Sequence, residues 1–176
     1  LDPDTRTPVP WDGETQGELV LRAPWLTQAY FREPEKSQEL WAGGWLHTGD
    51  VATISPAGTI EIRDRIKDVI KTGGEWISSI DLENAAMGHP DVAMAAAVGM
   101  PHPKWQERPL LVVQPKPGIT PDAGSILDYL RGQVPKWWVP DAVEFIDEMP
   151  IGATGKILKT KLREIYKDYE FPTVDA

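Results

Sequence analysis

Three glycine- and charge-marked segments hold the side chains of this 176-residue chain that could do chemistry. The last is Pro150-Ile151-Gly152-Ala153-Thr154-Gly155-Lys156-Ile157, which reads as a lysine on a flexible, glycine-bounded loop. Such an ammonium is a mobile point charge suited to a phosphate or a carboxylate. The Gly-Lys pair invites a phosphate-loop reading, but only two residues separate the glycines, no Ser or Thr follows the lysine, and no helix begins there, so that reading is rejected. The first segment is Gly44-Trp45-Leu46-His47-Thr48-Gly49-Asp50, a turn that holds a carboxylate at a strand entrance. Each carboxylate oxygen accepts a hydrogen bond, which suits paired hydroxyls such as those of a ribose; taken alone, Asp50 reads as a turn cap. The second runs from Arg63 to Trp76. Its alternating charges taken alone are a solvated strand edge, and Gly73-Gly74 then permits a tight turn or a close backbone approach.

The elements that must carry these segments can be read from periodicity. Residues 18–22 alternate as a strand, and 50–63 read as a hairpin turned at Pro56-Ala57-Gly58. Ile66 to Lys71 is a further short strand, broken at Gly73-Gly74. Ser78-Ser79-Ile80-Asp81 has the spacing of a helix start, and Gly88 followed by Pro90 stops a helix over about 79–87. Val92 to Met100 and Leu110 to Gln114 suit buried strands, although the alanines of the first suit a helix equally; strand is expected. Thr120-Pro121 is expected to cap a helix with Ile126, Leu127, Leu130 and Val134 on one face, ended by Pro135. Ala142 to Ile146 is another strand. Lys159 to Tyr169 is a closing helix with Leu162, Ile165, Tyr166 and Tyr169 inward. The order predicts an α+β fold, a small mixed sheet covered by helices, preceded by a β-rich stretch.

At 41% hydrophobic the chain can build a core. A formal charge of -9, from 27 acidic against 18 basic residues, argues against a nucleic-acid partner, although Lys156, Lys159, Lys161 and Arg163 form a local basic cluster. With no cysteine there is no disulfide or thiolate chemistry, and His47, His89 and His102 make no zinc site, so no metal is expected on these residues. No apolar run approaches the roughly 18 residues of a membrane span and no signal segment is evident, so a cytoplasmic protein is expected. The chain opens at Leu1 within a turn-rich stretch and is expected to be cut from something longer.

Together and in this order, Gly17-Glu18-Leu19 with Tyr30, Gly-Trp-x-x-Thr-Gly-Asp, Asp-Arg-x-Lys-Asp with its glycine turn, and the late Gly-Lys resemble the adenylate-forming superfamily of acyl- and aryl-CoA synthetases. The match runs from about Gly17 to Lys161. The wording Gly73-Gly74-Glu75-Trp76-Ile77-Ser78-Ser79 is most similar to the fatty-acyl and methylmercaptopropionyl CoA ligase branch. The resemblance implies a ligase that activates a carboxylic acid with Mg-ATP to an acyl-adenylate and then transfers the acyl group to CoA, its C-terminal domain swinging between the steps. It implies that Asp50 binds the ribose hydroxyls, Arg65 contacts the nucleotide, Lys67 is the hinge and Lys156 the adenylation lysine, with Gly73, Gly74 and Glu75 against CoA. Lys136, Trp137, Trp138 and Val139 are candidates for the nucleotide end of CoA, although packing is the stronger reading there. Residues 1–66 are expected to be the end of a large N-terminal domain and 67–176 the mobile domain. The loop for the pyrophosphate end of ATP, the acyl pocket and the magnesium-binding glutamate are absent, so the chain alone is expected not to catalyse without its N-terminal body; a homo-oligomer is admissible. Two alternatives stay open: an adenylation domain that loads a carrier protein, and a binding domain on which Lys156 is a target of regulatory acylation.

Overall fold

The computed structural model describes residues 1–3 and 5–172. It divides into two compact units, Leu1–Lys67 and Asp68–Ala176.

The first unit is a three-stranded antiparallel sheet in the order β1 (Gly17–Leu21), β2 (Leu46–Ile54), β3 (Ile60–Arg65). The expected hairpin is β2–β3, and it is longer at its open end than 50–63. Its turn closes where the Gly58 N–H donates to the Ser55 carbonyl at 2.9 Å, with Gly58 at φ +81°. Register pairs Asp50 with Arg65, which places two residues fifteen apart in the chain side by side. A helix not expected from sequence, α1 (Pro34–Leu40), starts on a proline, where the missing N–H costs no intrahelical bond.

The second unit is a mixed sheet in the order β5 (Glu75–Ile77), β4 (Ile70–Thr72), β7 (Gln106–Pro115), β6 (Val92–His102), with β8 (Ala142–Phe145) parallel to β7. The small mixed sheet covered by helices is thus the α+β architecture expected. The strand reading of 92–100 holds and extends to His102. Alternation explains it, because both faces are covered: Ala95, Ala97, Leu111 and Val113 pack with α2 (Ser79–Met87) and α3 (Ala123–Arg131). Ala96, Val98, Leu110 and Val112 pack instead with Leu162 of α4 (Lys159–Ile165). A strand buried on both sides reads as a continuous apolar run rather than an alternating one.

Four expectations need correction. The stretch 66–69 is a turn, and the strand begins only at Ile70; β5 was not foreseen, because three residues are too few to show a period. The cap of α3 is Asp122, whose carboxylate accepts the Gly124 and Ser125 N–H groups at 3.2 and 2.9 Å, and Thr120-Pro121 lies outside the helix. The cap of α2 is Ser78, as expected, accepting the Asp81 N–H at 3.1 Å. Helix α4 ends at Ile165, which points outward at 58% exposure rather than inward. No helix among the described residues is long and apolar enough to cross a membrane.

Candidate functional site

In the first unit Thr48-Gly49-Asp50 lies inside β2 rather than in the turn at a strand entrance that was expected, and a buried carboxylate holds it there. Glu18, 9% exposed, faces His47 Nδ1 at 2.7 Å with one oxygen and accepts the Gly49 N–H at 3.2 Å with the other. His47 Nε2 lies 3.0 Å from the Ala42 carbonyl, so both ring nitrogens face acceptors. Gly49 sits at φ +70°, a region that disfavours side chains, and the Thr48 hydroxyl donates to the Leu19 carbonyl at 2.7 Å. These contacts aim Asp50, whose Oδ1 accepts from Arg65 Nε at 2.8 Å. The two residues assigned to the nucleotide therefore form one cross-strand pair. Glu18 and His47 as its supports were not foreseen; a separation of 29 positions hides the contact from any local pattern.

In the second unit Gly73 and Gly74 form the two-residue turn of the β4–β5 hairpin, at φ +58° and +88°, with Thr72 opposite Glu75. Positive φ at both central positions is the type I′ geometry that matches strand twist. The Gly73 N–H donates to the Trp105 carbonyl at 3.0 Å, and a Cβ on Gly73 would lie 3.1 Å from the Trp105 ring. Gly73 and Glu75 line a groove of about 760 Å³ together with Thr72, Trp105, Lys136 and Trp137. Trp105 and Trp137, both 43% exposed, give it aromatic walls, and Lys136 gives it a cation. The residues 136–139 divide: Lys136 and Trp137 line the groove, while Trp138 packs against the core. Their loop is pinned by Arg108, which donates to both oxygens of Asp141 and to the carbonyls of Trp137 and Val139 at 2.7–3.0 Å. Trp105 and Arg108 were missed. An aromatic residue in the polar Lys104-Trp105-Gln106 connection was the one available signal for Trp105; Arg108 had none, since its partner lies 33 residues away.

Lys156 does not share that groove. It is exposed on a small closed hairpin, where Ile151 bridges Ile157 and the Gly152 N–H donates to the Lys156 carbonyl at 2.8 Å. The turn is completed by the Gly155 N–H to the Gly152 carbonyl at 2.9 Å, with Gly155 at φ +77°. The backbone at Lys156 is therefore hydrogen-bonded, not an open loop. The expected basic cluster also breaks up: Lys159 pairs with Glu83 at 2.7 Å and Arg163 with Asp68 at 2.9 Å. Lys67 is exposed in the turn after β3, at the boundary of the two units. Among the described residues no group of three or more His, Cys, Asp or Glu side chains could hold a metal ion.

Residues 81–156 match the AMP-binding enzyme C-terminal domain. The chain is 52% identical over 165 residues to a 3-methylmercaptopropionyl-CoA ligase of Ruegeria lacuscaerulensis, covering 94% of this chain and 30% of that protein. It is 50% identical over 164 residues to a long-chain-fatty-acid CoA ligase of Thermus thermophilus, covering 92% of this chain and 30% of that protein. The fold superposes on the crystal structure of ATP-bound MatB from Rhodopseudomonas palustris with a TM-score of 0.84 at 33% identity, covering 95% of this chain and 33% of that one. The chain thus spans about 30% of the length of the relatives it matches. Over residues 81–156 the chain is similar to the AMP-binding enzyme C-terminal domain, and along nearly all of its length it is similar to the C-terminal part of acyl-CoA ligases.

Proposed function

We propose that this chain serves as the C-terminal part of an AMP-forming acyl-CoA ligase acting on a fatty or similar carboxylic acid. In the first step the acid's carboxylate oxygen bonds to the α-phosphorus of ATP, the bond to the β-phosphate bridge breaks, and pyrophosphate leaves. In the second the CoA thiol attacks the acyl carbon, the carbon–oxygen bond to the phosphate breaks, AMP leaves and the thiol proton goes to solvent. Lys156 acts in the first step. Carboxylate and α-phosphate are both anionic, so an ammonium between them stabilises their closest approach more than their separated states. Asp50 accepts from the ribose hydroxyls while its partner Arg65 contacts the nucleotide. Lys67 is the hinge about which the second unit reorients between the steps.

The observation that carries the reading is the groove that gathers Gly73 and Glu75 with Lys136 and Trp137, some sixty residues further along the chain. The glycine turn offers bare backbone to a narrow arm such as pantetheine. The tryptophans and Lys136 offer aromatic faces and a cation to a phosphorylated nucleotide. Those are the two ends of CoA. The test is acid-dependent pyrophosphate exchange followed by thioester formation, using the full-length protein with 3-methylmercaptopropionate and fatty acids of increasing length. Exchange with release of AMP only when CoA is added supports the reading; exchange with no turnover on CoA, but turnover on a carrier protein's pantetheine, would replace CoA as acceptor.

A further inference from the structure

Lys156 itself is exposed, but the hairpin that carries it is seated from the second hydrophobic cluster, of which Met149 is a buried member and against which Ile157 packs. One stem is fixed by Met149, 2% exposed, whose N–H donates to Gln114 Oε1 at 2.9 Å. The other stem runs directly into α4, and its first helical residue is Lys159. The Lys159 side chain is only 13% exposed; its Nζ lies 2.7 Å from Glu83 Oε1 and donates to the Ser79 hydroxyl at 2.6 Å. That same Glu83 oxygen accepts the Ala97 N–H of β6 at 2.8 Å. Helix α2 and the sheet are thereby joined through one carboxylate to the residue three positions after Lys156. One turn on, Arg163 Nη2 donates to Asp68 Oδ1 at 2.9 Å. Residues four apart share a helix face, so these pairs set both the rotation and the axial position of α4. Asp68 is also the first residue after Lys67.

A nearly buried ion pair is a poor device for stability, because desolvating two charges offsets most of their attraction, and apolar residues of similar volume serve as well or better. It is a good device for register, since a charge accepts few positions. We infer that Lys159 and Arg163 form a strut on α4, with Lys159 a positioning residue that holds Lys156 at a fixed place relative to α2, the sheet and the hinge-proximal Asp68. The inference rests on Lys156 being the adenylation lysine.

The test uses the full-length enzyme with octanoate, and octanoyl-adenylate supplied for the second step. Three variants are compared: Lys159→Met combined with Glu83→Gln, so that no buried charge is left alone, Lys159→Arg, and Lys156→Ala. The double variant should lower kcat for adenylation about 10²-fold, as a displacement of about 1 Å does. KM for ATP, thioester formation from supplied adenylate and the melting temperature should stay near wild type, and Lys159→Arg should recover most of the rate. If the double variant leaves adenylation unchanged, or lowers both half-reactions together, while Lys156→Ala is selective, the strut is wrong and Lys156 keeps its role. If Lys156→Ala is itself without selective effect, the reading of Lys156 fails and the strut falls with it.

Discussion

At the residue scale, side chains that look interchangeable as surface polar groups differ sharply in how they are held. Asp50 is aimed by Arg65 beside it and by the buried Glu18, which accepts the N–H of the preceding Gly49. Lys156 is exposed, and its place is set through the hydrogen-bonded hairpin backbone that carries it. Gly73 is the most constrained of the set. At φ +58°, with the Trp105 ring 3.1 Å from where a Cβ would stand, it tolerates no side chain without a shift of backbone or ring. Gly73→Ala should therefore cost about 1–2 kcal/mol in stability from the left-handed backbone alone. It should also raise KM for CoA while pyrophosphate exchange holds. Chemical denaturation and the two half-reaction assays check this; an unchanged KM for CoA with slowed exchange would move Gly73 away from CoA.

At the element scale, what the sequence made legible was whatever is marked locally. The β2–β3 hairpin and α2 with its Ser78 cap follow from period and turn residues, whereas the two-faced strands β6 and β7 follow from the length of proline-bounded apolar runs and show no period. Strand β5 follows from neither, because three residues are too few for either, and nor does the α3 cap, where Thr120-Pro121 and Asp122 compete and the carboxylate prevails with two N–H groups to accept. The site was half legible for the same reason. Gly73, Glu75, Asp50 and Lys156 carry motif spacing, whereas Trp105, Arg108 and Glu18 matter through partners about thirty residues away or more, or through a turn of backbone against a ring. Helix α4 has a single fully buried anchor, Leu162, at 0% exposure in the second cluster. Leu162→Ala should destabilise the second unit by about 2–5 kcal/mol through lost burial and a residual cavity, measured by chemical denaturation. A loss well under 1 kcal/mol would mean the ion pairs, rather than Leu162, seat the helix.

At the scale of the whole molecule the division at Lys67 and Asp68 separates the chemistry. The Asp50–Arg65 pair belongs to the first unit; the glycine turn, the aromatic groove and Lys156 belong to the second. On the proposed cycle one unit must present Lys156 for adenylation and then withdraw it, because a fixed ammonium among the phosphates would obstruct the incoming thiol. Lys67→Pro locks φ at that junction and should slow thioester formation more than adenylation in the full-length enzyme; the opposite order in the two half-reaction assays would remove Lys67 as the hinge. The central claim is narrower still: Lys156 works in one half-reaction and not the other. Lys156→Ala in the full-length enzyme tests it directly, with pyrophosphate exchange and thioester formation from supplied acyl-adenylate measured on the same preparation. Exchange should fall by about 100- to 1,000-fold, the loss typical of one transition-state donor, with thioester formation retained; an equal fall in both would contradict the account.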